Sequence, residues 1–447
     1  MSVVIPSLRA AIAVPPWVKN ELWRRARAVP SLDLRLADNK SLSDAVTGAS
    51  LVTFTRASDG TFVGSDGVLQ TAVTNAPRFD HNPTTGESLG LLVEEARTNL
   101  VLRSEEFDNA SWSQTGLKAF GSGSVANAIA APNGSVTADF LVDDTSTGEH
   151  FTNQIFTAVS GTSYTFSVFI KPSANKTGVM LRYTSTVFGG ITNQIQVVFA
   201  TGAVTALAGT PTGTATPLPN GWWRISITAT ATANGTPQAR VQFYSNNGTS
   251  STYTGDGTSG YYLWGAQLET GAFRTSYIPT TTAAATRAAD VASITGSAFS
   301  SWYRQDEGSI CLSGAPRYAF GGINTFPRAF AISDGTTATM IDMRYRVLSS
   351  FSDSGYAVAN GGVTQATYDS ASNTAGQVMS MAYQANSFAF SIGGALPDSD
   401  TSGTVPTVDR MILGNIPGGT TTLNGTIRRL TYWPQRLANS TLQSITS

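Results

Sequence analysis

Short stretches in which apolar and polar side chains alternate strictly recur through this chain. Leu32 to Leu36 and Leu51 to Arg56 alternate in this way. From Tyr164 to Lys171, Tyr164, Phe166, Val168 and Ile170 share one face, and Thr165, Ser167, Phe169 and Lys171 share the other. Gln194 to Phe199, Trp223 to Thr230 and Arg240 to Tyr244 repeat the pattern. A second series begins at Gly308 and closes with Gly425 to Trp433. Gly, Asn, Asp and Thr turns separate the runs, a spacing typical of β-sandwiches. Helical periodicity is confined to the two ends. Val18, Leu22 and Ala26 mark a short helix from Trp17 to Ala28, stopped by Pro30, and a last helix spans Ser440 to Ile445 with Asn439 or Ser440 as its cap.

The pattern predicts an all-β protein: an N-terminal anchor segment followed by tandem antiparallel β-sandwich (jelly-roll) domains. The aromatic run Tyr261 to Leu268, followed by a Thr/Ala-rich stretch with Pro279, reads as a last strand and a linker. The expected division is 1–30 as anchor, 31–104 as a small β-rich leading module, 105–282 as one sandwich, 283–293 as linker and 294–447 as a second sandwich.

Composition narrows the chemistry. The chain has 447 residues, 41% hydrophobic but only 13% charged, so Ser, Thr, Asn, Gln and Gly must supply the polar surface. The net charge of -1 gives no polyanion-binding character, so nucleic acid is not an expected partner. Residues 1–30 differ: Arg9, Lys19, Arg24, Arg25 and Arg27 face only Glu21. Cys311 is the single cysteine, so no intrachain disulfide forms, and its strand-like context reads as a buried small hydrophobe. No apolar run is long enough for a membrane span, so no membrane insertion is expected, and no signal peptide is evident.

Three strings resemble modules of bacteriophage structural proteins, chiefly tail fibres and head spikes or head fibres. Val52 to Phe62, with Asn75 to Asp80 and Gly90 to Leu100, is similar to a leading module. Trp264 to Ala272, with Thr275 to Thr280, is similar to the end of a carbohydrate-binding-module-like sandwich. Gly425 to Leu437 resembles the closing strand of a concanavalin A-like (laminin G-like) domain. The resemblance implies an oligomeric, often trimeric, virion-surface protein made in the host cytoplasm. Its implied partners are host surface polysaccharide and other virion proteins of the capsid, portal or tail. It implies no catalytic residue.

The candidate sites follow from this. Flat aromatics stack on sugar rings, which makes Trp222, Trp223, Tyr244, Tyr253, Tyr261 and Trp264 the carbohydrate-binding candidates. Core packing is the alternative reading of each. Adjacent strand residues face opposite ways, so one of Trp222 and Trp223 is expected in the core and the other outside. The anchor candidates are Trp17, Leu22, Trp23, Arg24, Arg25 and Arg27. No cofactor is expected. Structural calcium at Asp256, with oxygens from Asp139, Asp143 and Asp144, is a weak option against an ordinary turn aspartate, since no EF-hand spacing exists. Glu94 and Glu95 are adjacent and should diverge, which disfavours the paired carboxylates of a glycosidase. Glu94 or Glu95 paired with Arg97 is the structural reading. The expected function is a non-enzymatic spike or fibre. A purely structural capsid-decorating or connector protein is the first alternative, and a capsule depolymerase the second.

Overall fold

The computed structural model describes residues 21–184, 186–190, 192–246, 248, 250–317, 326–347, 352–369 and 378–447. It is an all-β protein of antiparallel sheets in two face-to-face pairs, with short helices at Glu21–Ala26, Gly296–Ser300 and Asn439–Thr446. Alternation dictates this arrangement, because each amphipathic sheet must cover its apolar face with another.

The first sandwich is assembled from both ends of the chain. One sheet runs Asp398–Asp400, Ser387–Ile392, Val378–Gln384, Glu307–Pro316, Gly425–Trp433, Ser88–Val93 and Phe79–His81, with Leu32–Leu34 also paired to Gly425–Trp433. The facing sheet runs Thr53–Thr55, Val291–Thr295, Arg410–Leu413, Arg328–Ser333, Met340–Val347, Ser352–Asn360 and Val363–Asp369. Their shared core holds Leu32, Leu34, Leu91 and Val93 from the front of the chain beside Ile310, Met381 and Leu430 from its end.

This corrects the expected leading module. Residues 31–104 do not close on themselves. Leu32–Leu34 takes Leu430–Tyr432 as its partners, and Ser88–Val93 pairs through Leu91–Val93 with Gly425–Ile427. Leu32–Leu34, Thr53–Thr55 and Phe79–His81, of three residues each, bury too little surface to stand alone, so they add to existing sheets.

The second sandwich is an insertion in the first. Arg97–Asn99 pairs with Ala285–Arg287, and this ribbon carries the chain into and out of the inserted body. One inserted sheet runs Thr212–Pro217, Trp223–Thr230, Ser163–Pro172, Gly260–Thr270, Val136–Val142 and Val125–Ala130. The other runs Ala203–Ala208, Asn193–Val198, Gly178–Thr184, Gln238–Phe243, Phe151–Ile155 and Ser113–Thr115. Tyr164, Phe166, Val168 and Ile170 point into the core between them, as their alternation requires.

The outer face of the first inserted sheet is also covered. The Gly60–Val63 and Leu69–Ala72 hairpin lays Val63 and Leu69 on Phe169, Trp222, Trp264 and Tyr277. Phe169, expected on a polar face, is buried beneath it, and Thr165 and Ser167 on the same face are buried too.

The N-terminal helix spans Glu21–Ala26 among the described residues and lies on the chain's own body. Trp23 Nε1 donates to Asp33 Oδ2 at 3.0 Å, and Ala26 and Leu22 join Trp433, Leu437, Leu442 and Ile445 in a small core. Arg25 reaches the carbonyl of Ser447 at 2.9 Å, and Arg24 pairs with Glu21. Arg27 turns with a positive φ just past the helix. Trp17 lies outside the described residues. Ala438, rather than Asn439 or Ser440, is the residue at the cap of the Asn439–Thr446 helix, and no side chain caps it. Cys311 is buried, and burial pushes its thiol up to about 12.

Candidate functional site: the arginine-rich seam between the sandwiches

Where the ribbon joins the two sandwiches, this charge-poor chain buries a cluster of ion pairs. Arg56 leaves the Thr53–Thr55 strand, Arg78 precedes Phe79–His81, and Arg287 closes Ala285–Arg287. All three are almost completely buried. Two carboxylates answer them. Asp290 accepts from Arg56 Nη1 at 3.2 Å and pairs with Arg78 Nη2. Glu94 holds Arg78 Nη1 at 2.8 Å and lies 3.5 Å from Arg287. Ser276 donates its backbone N–H and hydroxyl to Glu94 at 2.9 and 2.7 Å, so the inserted sandwich is bound to the same cluster.

Glu94 and Glu95 do diverge. Glu95 pairs with Arg97 at 2.5 Å on the other side of the strand. Burial alone would raise the Glu94 carboxyl. Arg287 and Arg78 outweigh it and hold the group well below the usual carboxylate range.

A second set of arginines extends the seam. On the outer face of the inserted sheet, Arg224 sits over the Phe169 ring at 5.0 Å. Its best partner is Ser167 Oγ at 3.4 Å, and its Nε has no partner among the described residues. Arg274 donates to Thr216 Oγ1 at 2.6 Å. Arg317, from the first sandwich, pairs with Asp80 at 2.7 Å and keeps a third of its side chain exposed. Burial first, then the charge of Arg317, pushes Arg224 down to about 10, against the pull of Glu269. Arg274 is pushed well below the usual arginine range by burial, then by Arg224 and Arg317. A guanidinium does not give up its proton in a protein, so both groups stay charged despite their burial. Glu269 lies near but is engaged by the Thr275 N–H at 3.0 Å and by the Thr275 hydroxyl.

Two cavities open on this seam and share Leu218 as a wall. One, of about 240 Å³, is lined by Gly67, Val68, Lys171, Pro219, Asn220 and Trp222. The other, also about 240 Å³, is lined by Phe169, Thr216, Arg224, Arg274 and Arg317 together with the hairpin.

The six aromatic candidates separate into three groups. Trp222 and Trp264 lie together in the seam, both buried, and Trp222 Nε1 donates to the Ala130 carbonyl at 3.2 Å. Tyr244, Tyr253 and Tyr261 gather around Lys176. Its ammonium donates to the Tyr244 carbonyl at 2.8 Å and to Tyr253 Oη at 3.1 Å, and it lies 5.7 Å from the Tyr261 ring centre. Tyr253 also stacks on His150 and donates to Asp143 at 2.8 Å. Trp223 is half-buried beside Phe199 at the edge of the inserted core. Trp222 and Trp223 do face opposite ways, but the side expected to be free is the covered seam.

Asp256 is occupied as a turn carboxylate. It accepts from the N–H groups of Thr258 and Ser259 at 2.8 and 2.7 Å, from Ser259 Oγ at 2.6 Å and from Asn246 at 2.8 Å. Asp139 is taken up by the N–H groups of Phe107 and Asn127, Asp144 by Ser146 and Asp143 by Lys176. Among the described residues no cluster of three His, Cys, Asp or Glu could hold a metal ion. No helix among them is long and apolar enough to cross a membrane.

Arg224, Arg274 and Arg317 were not among the sequence candidates. The available signal was an arginine within an alternating strand of a chain poor in charge, as at Trp223-Arg224-Ile225, whose flanking strands Ser163–Pro172 and Thr212–Pro217 hold no carboxylate.

These sheets place the chain in the class of antiparallel β-sandwich proteins, with one sandwich inserted in the other. Among solved structures, the CBM40 domain of Ruminococcus gnavus IT-sialidase bound to alpha2,3 sialyllactose is similar over 32% of this chain and 84% of its own, with 16% identity and a TM-score of 0.27. Domains LG4-5 of the mouse laminin alpha1 chain are similar over 65% and 90%, with 10% identity and a TM-score of 0.20. Trypanosoma rangeli sialidase in complex with the inhibitor DANA is similar over 69% and 60%, with 6% identity and a TM-score of 0.25. The sandwich architecture rests on the sheets themselves and not on these distant likenesses. No protein-family model matches the sequence, and no curated protein matches it.

Proposed function

We propose that this chain is a non-enzymatic glycan-binding protein, displayed as a spike or fibre on a phage particle, that holds host-surface polysaccharide at the seam between its sandwiches. The observation that carries the reading is the pair of sugar-sized cavities meeting at Leu218 between the Gly60–Ala72 hairpin and the inserted sheet. Ligand sites favour such junctions between packed bodies, with an apolar lining and a few polar groups. Trp222 supplies the apolar wall of one cavity, and Lys171 and Asn220 supply its polar rim. The neutral, hydroxyl-rich composition and the resemblance of Val52–Phe62, Gly90–Leu100 and Gly425–Leu437 to phage fibre modules support the virion setting.

Several copies per particle would multiply a modest single-site affinity by about 10²–10⁴. A non-catalytic role is supported by Glu94, which is sealed beneath Arg78 and Arg287 and faces away from Glu95.

The test is retention of the purified chain on host capsular polysaccharide, compared with a Lys171→Ala variant at the cavity rim. Binding by the native chain that weakens about tenfold in the variant is expected. Equal retention of both, or of neither, sinks the site. For attachment, residues 1–30, the whole of the expected anchor, are removed, with retained β-sheet content checked by circular dichroism because Trp23 leaves Asp33. The shortened chain is expected in solution and not on particles, and normal incorporation would remove the anchor from the proposal.

A further inference from the structure

The groups joined along the seam do not balance. Arg56, Arg78, Arg224, Arg274, Arg287 and Arg317 meet four carboxylates, Asp80, Glu94, Glu269 and Asp290, a surplus of two positive charges in a largely desolvated region. The surplus falls at the Leu218 cavity. Among the described residues, neither Arg224 nor Arg274 has a carboxylate within ion-pair distance. Arg224 is 9% exposed and its Nε has no partner. Desolvated charges left without partners are costly unless an opposite charge arrives.

We propose that this pocket binds an acidic saccharide residue, its carboxylate or sulfate seated between Arg224, Arg274 and Arg317. This rests on the glycan-binding reading above and names its substrate class. Guanidinium groups match such oxyanions through paired N–H donors. The cavity is smaller than the roughly 300–1,000 Å³ of drug-sized sites, which suits one sugar unit. Thr216 and the half-buried Arg274 line the cavity beside Phe169, a buried ring that Arg224 covers. Arg317 comes from the other sandwich, so the bound residue bridges the two bodies.

Calorimetric titration with a glucuronate oligosaccharide, a sulfated glucose oligosaccharide, the neutral glucose oligosaccharide and inorganic sulfate tests this. The full chain is compared with Arg274→Gln and Arg317→Gln. At least tenfold preference for one acidic oligosaccharide over the neutral one is expected, lost in either variant. Which of the two binds separates carboxylate from sulfate. In anion-free buffer Arg274→Gln is expected to melt no lower than the native chain, because it removes a like charge. Equal binding of acidic and neutral sugars overturns the inference but leaves glycan binding standing. Binding of sulfate alone makes the site a structural anion hole and overturns it. No binding of any saccharide, with capsular polysaccharide also unretained, overturns both. A preference that survives in both variants places the acidic site elsewhere.

Discussion

At the scale of single residues, the decisive choice is which side chains receive a counter-charge. Glu94 illustrates the dependence. It faces Arg78 and Arg287 at the centre of the seam, and Ser276 ties it to the inserted sandwich. Glu94→Gln would leave Arg56, Arg78 and Arg287 against Asp290 alone. Breaking a buried pair in this way costs about 3–5 kcal/mol, read by urea unfolding at pH 7. The pH dependence has a definite sign. Because the folded Glu94 carboxyl is held low, its contribution is complete above the unfolded value of about 4.3 and is lost as pH falls through the folded one. The gap between native and Glu94→Gln chains should therefore narrow from pH 5 to pH 3. A gap that stays constant would mean that Glu94 acts through shape and not charge.

At the scale of elements, alternation made the strands legible. Trp223 to Thr230 matches the observed strand, and Tyr164, Phe166, Val168 and Ile170 face the core as read. What covers the second face is not written locally. Phe169 looks like an exposed position until the Gly60–Ala72 hairpin, from much earlier in the chain, is folded over it. For the same reason the aromatics identified the inserted sandwich without identifying its ligand surface, and the arginines that line the cavity went unread. Gly90 is legible only in register. Its φ of +89° places the Ser88–Val93 strand so close to Gly425–Trp433 that a Cβ would lie 2.1 Å from the Ile427 carbonyl oxygen. Gly90→Ala should cost more than the roughly 1–3 kcal/mol of backbone strain, because the strand must also move away. Gly361→Ala has a similar φ but open space around it, so it should cost the strain alone. Denaturant midpoints of the two variants check this, and equal losses would remove the steric part of the argument.

At the scale of the whole molecule, a rod of independent modules and an interleaved body predict different unfolding. The first sandwich draws Leu32–Leu34 and Ser88–Val93 from before the insertion and Gly425–Trp433 from after it, so its sheet cannot form until the chain ends meet. The inserted sandwich enters and leaves through one ribbon with its termini adjacent, the geometry that lets an insertion fold by itself. The buried seam nevertheless ties it to the rest through Ser276 on Glu94 and Thr61 on the Tyr277 carbonyl. The intact chain should therefore show one main calorimetric transition at neutral pH. A fragment of residues 31–293 should keep amide protection in the inserted strands Ser163–Pro172 and Gly260–Thr270, whose partners are all present. It should lose protection at Leu91 and Val93, whose partners Ile427 and Gly425 are gone, while Leu92 keeps its bond to the Arg78 carbonyl. Hydrogen exchange on the fragment decides the matter. Persistent protection at Leu91 and Val93 would restore residues 31–104 as a module in their own right, whereas its loss beside a protected insertion would make the closing strand near residue 430 the step that completes the front of the chain.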